Sequence, residues 1–117
     1  MSGTVAYHSG LAAEECVARQ YQRQGGTIAA RRWRGRGGEI DLVVEHRGVL
    51  IFVEVKKAKS FDRAAERVTP RQIERIVAAA GEYLAGAPLG LSSESRFDVA
   101  LVDGQGQVEI LPNAFPA

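Results

Sequence analysis

Residues 38–56 read GEIDLVVEHRGVLIFVEVK, and the fold follows from how this stretch divides. β-Branched residues crowd both sides of His46-Arg47-Gly48, so the segment reads as two strands, 39–45 and 49–56, closed into a hairpin. With Arg47 and Gly48 as the two loop residues, His46 faces Val49, and counting outward sets Asp41 opposite Glu54 and Glu39 opposite Lys56. Opposed residues point to one face, and side chains alternate with a period of two, so Glu54 and Lys56 share that face. Arginine is a weak choice for a turn position of positive φ, which leaves a longer loop as the competing reading. A slip of one residue would send Asp41 to the other face.

Opposed side chains lie with Cβ atoms roughly 4.5–5.5 Å apart, and like charges so placed repel. A hard divalent cation would relieve Asp41 and Glu54, because Mg²⁺ takes carboxylate oxygens at roughly 2.0–2.1 Å and keeps several waters. Lys56 would then steady charge developing on a phosphate, or orient or deprotonate a water. The plainer alternative is a solvated strand face with Lys56 paired to Glu39. Against it stands Leu50-Ile51-Phe52-Val53, apolar on both faces just before Glu54, which marks a covered strand in which charges need partners.

The chain of 117 residues is expected to form one domain, 1–117, with residues 1–8 as a loose arm and 112–117 as a tail. Its 45% apolar and 25% charged residues are ordinary for a globular protein. A formal charge of +1 gives no long-range attraction to nucleic acid, so any electropositive site must come from local clustering. The lone Cys16, with no secretory or membrane-length apolar run, points to a cytoplasmic protein without an intrachain disulfide. His8, His46 and Cys16 lack zinc-ligand spacing.

A helix is expected over 11–24, with Ser9 as N-cap and Gly25-Gly26 as stop. On it Glu14, Val17, Ala18 and Tyr21 form one stripe, and Glu15 can pair with Arg19. Glu14 reads either as a residue that helps hold a metal ion or as a first-turn acid favoured by the helix dipole. Residues 27–36, TIAARRWRGR, read as a strand with Arg32, Arg34 and Arg36 on one face and Arg31 and Trp33 on the other, if the strand is regular. Basic residues around an aromatic suit nucleic-acid contact, and also suit arginines that merely cover a sheet face with Trp33 in the core.

Residues 57–68 read as a loop in which Lys57, Lys59, Arg63 and Arg67 are candidates for phosphate contact, diluted by Asp62 and Glu66, with a solvated mobile loop as the plainer reading of each. Thr69-Pro70 opens a second helix with a capping box to Gln72, and Ile73, Ile76, Val77, Ala80 and Leu84 face its core. Arg71 sits on its exposed face as a further basic candidate. Strands at 96–102 and 107–111 close the chain, with Asp98 read as a structural acid, either hydrogen-bonded in the interior or near the strand's exposed start. The order αβββαββ gives an α/β fold with a mixed sheet flanked by two helices.

Asp41 with Glu54-Val55-Lys56 resembles the D…(D/E)xK signature of the PD-(D/E)xK nuclease superfamily. The wider order is similar to the YraN family, small bacterial proteins regarded as relatives of archaeal Holliday-junction resolvases. It comprises Gly10 and Ala13-Glu14, Trp33, Gly38-Glu39-Ile40-Asp41-Leu42, Phe52 to Lys56, Val68-Thr69-Pro70-Arg71, Arg96-Phe97-Asp98-Val99 and Asn113-Ala114-Phe115. Lys57-Ala58 stands where Thr-Arg is common in that family, and Gln72 where lysine is usual. The resemblance implies a restriction-endonuclease-like core and a Mg²⁺- or Mn²⁺-dependent endonuclease acting on DNA, branched or otherwise structured, as a homodimer. It implies Asp41, Glu54 and Glu14 as metal-site acids, Lys56 as the catalytic amine and Glu39 as the group that orients Lys56. The competing class is a nucleic-acid-binding or protein-interaction module on the same scaffold without turnover.

Overall fold

A computed structural model describes residues 2–115, with side chains from residue 10 onward. Helix α1 (Ser2–Arg23) is followed by β1 (Thr27–Arg34), β2 (Glu39–His46) and β3 (Val49–Lys57). Helices α2 (Phe61–Glu66) and α3 (Pro70–Ala85), a 3₁₀ turn (Gly90–Ser92), β4 (Ser95–Val102) and β5 (Val108–Leu111) complete the chain. The five strands lie in sequence order, antiparallel except for the parallel pair of β3 and β4, whose connection passes through α2 and α3. This is the mixed, helix-flanked α/β sheet of a restriction-endonuclease-like fold.

The hairpin forms in the register read from sequence. His46 pairs with Val49 and Leu42 with Val53, around a two-residue turn in which Arg47 (φ 52°) and Gly48 (φ 81°) both take the left-handed conformation. Arg47 accepts that strain because the hydrophobic sets on either side fix the register. Helix α3 starts as expected: Thr69 Oγ1 accepts from Gln72 N–H, Gln72 Oε1 accepts from Thr69 N–H, and Pro70 occupies the first turn.

Two hydrophobic layers enclose the sheet. Ala13, Val17, Ala18 and Tyr21 of α1 pack on Leu42, Val44, Ile51, Val53, Ala100 and Val102. On the other face Ile76, Ala79, Ala80 and Leu84 of α3, with Ala64 of α2, pack on Ile40, Val43, Phe52, Phe97, Val99 and Leu101. Phe52, wholly buried, is worth about 1.5–3 kcal/mol by transfer alone. It lies in a run of ring contacts, Trp33 to Tyr83, Tyr83 to Phe52, Phe52 to Phe97 and Phe97 to Phe115, with centroids 5.0–5.7 Å apart.

Several boundaries differ from the sequence reading. Helix α1 reaches back to Ser2, through the segment expected as a loose arm, and Ser9 lies within it instead of capping it. No proline interrupts residues 2–9, so nothing in that segment stops a helix once the core-facing turns have nucleated it. The loop expected over 57–68 contains α2, because Ser60 Oγ accepts from Arg63 N–H and the buried Ala64 anchors a single turn and a half. Six residues are too few to show a period. The expected tail is folded through its described part: Ala114 N–H donates to Phe97 O at 2.8 Å and Phe115 is buried on Phe97. Residues 116 and 117 of that expected tail, and Met1 of the expected arm, lie outside the described residues.

Asp98 is fully buried on β4 and saturated with donors, as expected of an interior acid. It accepts from Tyr21 Oη at 2.7 Å, Arg96 Nε at 3.0 Å, a second Arg96 nitrogen at 3.3 Å and Asn113 N at 3.0 Å. This ties α1 and the C-terminal segment to the middle of the sheet. Burial, and then the Asp98 charge, raise the Tyr21 hydroxyl far above its ordinary range, so it remains a donor. Tyr21→Phe is expected to cost about 1–3 kcal/mol in urea unfolding at unchanged m-value. An unmoved midpoint would mean that Arg96 and Asn113 satisfy Asp98 by themselves.

Candidate active site

The site lies where β2 and β3 part. Their backbone pairing ends at Leu42 and Val53. One step beyond, Asp41 Oδ2 accepts from Val55 N–H at 2.8 Å, so a carboxylate stands where a strand carbonyl would otherwise be. Strand β3 continues beside β4 alone, as far as Lys57 opposite Val102. The Asp41 carboxyl is thereby held beside that of Glu54, close enough for the two acids to interact. Glu54 is 8% exposed and its Oε2 lies 3.4 Å from Lys56 Nζ. Two acids and an amine thus converge at the C-terminal end of β3, as the strand register demanded.

Strand β1 is kinked opposite this point. Arg31 pairs with Leu42 and Trp33 with Ile40, which sets Arg32, at φ 48°, across from Asp41. Ile40 belongs to the α3-side core and Leu42 to the α1-side core, so alternation breaks at Asp41. The left-handed residue turns Arg32 to the same side as Arg31, and both reach α1. Arg31 bonds Glu15 at 2.9 Å and Arg32 bonds Glu14 at 2.9 and 3.3 Å. Glu15 also meets Arg19 at 3.5 Å, the pair read from sequence.

The regular strand that would have put Arg32, Arg34 and Arg36 on one face is therefore not what forms. Arg34 bonds Glu39 at 3.1 Å. Glu39 is in consequence not the partner of Lys56: the β2–β3 ladder that would have carried it there has already ended, and Lys56 pairs with Glu54. Trp33 turns to the α3 face, half-buried and edge-on to Tyr83, where it lines a separate groove of about 510 Å³ with Leu50, Pro88 and Leu89.

A cleft of about 380 Å³ opens beside the acid pair, lined by Gly10, Ala13 and Glu14 of α1, Val55, Lys56 and Lys57 of β3, and Arg67 after α2. Glu14 and Lys56 thus share one cleft with two further cations. Lys59 and Arg71 are exposed, and neither lines this cleft. Among the described residues no group of three or more His, Cys, Asp or Glu side chains is placed to hold a metal ion; the acids that meet are the pair Asp41 and Glu54.

The sequence reading missed Glu82. Its carboxylate accepts from the N–H groups of Gly37 and Arg36, both at 2.9 Å, and these two bonds hold it below the usual carboxylate range. It fastens the Gly35–Gly38 loop to α3, so that β2 enters at a fixed height with Asp41 on it. The available signal was the glycine run: a Cβ at Gly37 would come within 2.8 Å of Ala78.

The family model described as "Uncharacterised protein family UPF0102" matches residues 13–102. The chain belongs to this family. A UPF0102 protein of Cereibacter sphaeroides strain ATCC 17025 is 56% identical over 117 residues, covering all of both chains. One from Roseobacter denitrificans is 54% identical over 97% of this chain and 88% of its own, and one from Ruegeria pomeroyi 51% identical over 97% and 92%. The UPF0102 match spans Glu14, Asp41, Glu54 and Lys56, and it agrees with the YraN-type order of motifs. Fold and family together give a nuclease-like scaffold. No helix among the described residues is long and apolar enough to cross a membrane.

Burial, then the hydrogen bond and the charge of Glu54, push the Asp41 carboxyl up from 3.8 to about 8, against the opposite pull of Val55 N–H and Lys56. The folded UPF0102 chain therefore binds a proton that the unfolded chain releases between about pH 4 and pH 8. Stability is greatest below the unfolded value and declines as pH rises through that window. Asp41→Asn keeps an oxygen for Val55 and removes the charge. It is expected to stabilise the metal-free protein by on the order of a few kcal/mol above pH 8, and hardly at all near pH 4. Chemical denaturation at both pH values measures this, and equal shifts would show that the pair ionises freely.

Proposed function

We propose that this protein is a cytoplasmic, metal-dependent endonuclease that hydrolyses DNA phosphodiesters. The observation that carries the reading is the meeting of Asp41, Glu54 and Lys56 beside an open cleft that also holds Lys57 and Arg67. The two acids fit a hard divalent cation by their own chemistry. They are pressed together in a buried place, so that at neutral pH one keeps a proton in the absence of a counter-ion. Two carboxylates are a sufficient protein donor set for Mg²⁺ or Mn²⁺, which retains waters and takes substrate phosphate for the rest. Asp41 and Glu54 would hold the ion, which, when bound, lowers the pKa of water and offsets charge on the phosphate.

The remaining work falls to this chain's side chains. Lys56, 3.4 Å from Glu54, is fixed by that acid at the mouth of the cleft, where its ammonium can hold a water in line or steady the charge of the pentavalent phosphorane. Lys57 and Arg67 grip phosphates on either side of the scissile one. The Val55 N–H keeps Asp41 turned toward Glu54, so the acid pair is preorganised before substrate arrives. The resolvase likeness supports branched DNA as the substrate class and a homodimer as the working unit, since paired cuts require two sites.

Nicking of supercoiled plasmid and cleavage of a synthetic four-way junction with Mg²⁺ or Mn²⁺ test this. Glu54→Ala and Lys56→Ala are each expected to lower the cleavage rate by about 10²–10³-fold with DNA affinity kept within a few-fold. Undiminished cleavage by Glu54→Ala would move the chemistry elsewhere. Metal-independent DNA binding with no cleavage by the wild type would mark a binding module on the nuclease scaffold.

A further inference from the structure

The one acid that lines the cleft is already spoken for. Glu14 gives one carboxylate oxygen to Arg32 Nε at 2.9 Å and the other to a terminal guanidinium nitrogen at 3.3 Å. Its side chain is 14% exposed and that of Arg32 38%, so the guanidinium is the partner that solvent, or a phosphate, can approach. Arg32 holds this position through a left-handed backbone, φ 48°, that arginine rarely adopts, at the point of β1 that faces Asp41 across the strand pair. Glu14 meanwhile lines the same cleft as Lys56.

We propose that Arg32 is a positioning residue that keeps Glu14 apart from the acid pair until a DNA phosphate draws the guanidinium away, when Glu14 turns to join Asp41 and Glu54 around the cation. The proposal rests on the nuclease reading and deepens it by coupling substrate binding to completion of the metal site. A partly exposed ion pair is weak enough to be exchanged, and a phosphate offers the guanidinium an equally bidentate partner with more charge. Substrate thus shifts the equilibrium through a contact it makes in one arrangement and not in the other. Before substrate, the cation would meet two protein acids; with the phosphate in place, it would meet three.

Mn²⁺ affinity of the full chain, measured by titration calorimetry or by the loss of the free-ion paramagnetic signal, tests this without any turnover. Arg32→Asn is the main variant, because asparagine tolerates the left-handed conformation and is too short to hold Glu14. Arg32→Lys, which keeps the charge and loses the fork, is the second. Arg32→Asn is expected to tighten Mn²⁺ binding about tenfold by freeing a third carboxylate, and Arg32→Lys to tighten it less. Glu14→Gln alone is expected to leave Mn²⁺ binding nearly unchanged, and combined with Arg32→Asn to abolish the gain.

A gain that survives in the double variant would reflect only the lost positive charge and would overturn the proposal. So would a Glu14→Gln loss as large with Arg32 present as without it. Mn²⁺ binding that Asp41→Asn abolishes but Arg32→Asn leaves unchanged overturns the coupling and spares the nuclease reading. Absence of Mn²⁺ binding in every variant overturns both.

Discussion

The hydrogen bond from Val55 N–H to Asp41 Oδ2 governs how this end of the molecule is built. An N–H left unpaired in a covered strand costs about 1–3 kcal/mol, so wherever β2 and β3 part, something must replace the missing carbonyl. Here the replacement is a side chain that carries charge. It brings the Asp41 carboxyl up to Glu54, and it lets β3 run on beside β4 to Lys57 without β2. Had β2 followed β3 for one more pair, the backbone would have closed over the cleft and Asp41 would have projected as an ordinary strand side chain. The site is therefore a consequence of a ladder that stops early.

Three bonded acids show how much the donor count matters. Asp98 is wholly buried but has a tyrosine hydroxyl, a forked arginine and a backbone N–H, and so serves as a fastening point between α1, β4 and the C-terminal segment. Glu82 is half-buried and takes two backbone N–H groups, which stabilise its charge and fix the glycine loop. Asp41 has one N–H and an acid for a neighbour, and it is pushed toward its protonated form. Saturated acids hold a fold together. An acid short of donors beside another acid is poised to take a cation or a proton, and that is the property a hydrolytic centre requires.

Local signals were legible in the chain, and those that depend on a second element were not. The hairpin register followed from alternation and from Arg47-Gly48, the α3 start from Thr69-Pro70 and Gln72, and both core stripes from helical spacing. Counting from the turn was enough to bring Asp41 to Glu54 and Lys56. It failed for Glu39, because counting assumes a ladder that continues, and the Asp41 side chain ends it. The arginine strand was misread for a related reason. Alternation predicts faces only for regular strands, and no residue in Arg31-Arg32-Trp33 announces a left-handed turn that is held by Glu14 on a helix eighteen residues earlier. Helix α2 and the folded segment ending at Phe115 are too short for periodicity and owe their form to the surface they cover.

The charges on β1 bear on how a neutral protein could handle a polyanion. Arg31, Arg32 and Arg34 each meet a carboxylate, of Glu15, Glu14 and Glu39 respectively, so the arginine strand contributes little net field in the unbound state. That agrees with a formal charge of only +1 and with the absence of long-range steering expected from it. Attraction then has to come from the cleft, where Lys57 and Arg67 stand with Lys56 against the single acid Glu14. A strand of half-exposed ion pairs is nonetheless a reserve of cations, since each arginine can trade a carboxylate for a phosphate at small net cost once the backbone is close. Binding of this kind is strong only at contact, and it frees carboxylates at the moment when cations are drawn to the nucleic acid. On this surface the acid that neutralises Arg32 in the free protein, Glu14, is the same one that the proposed nuclease site would draw upon.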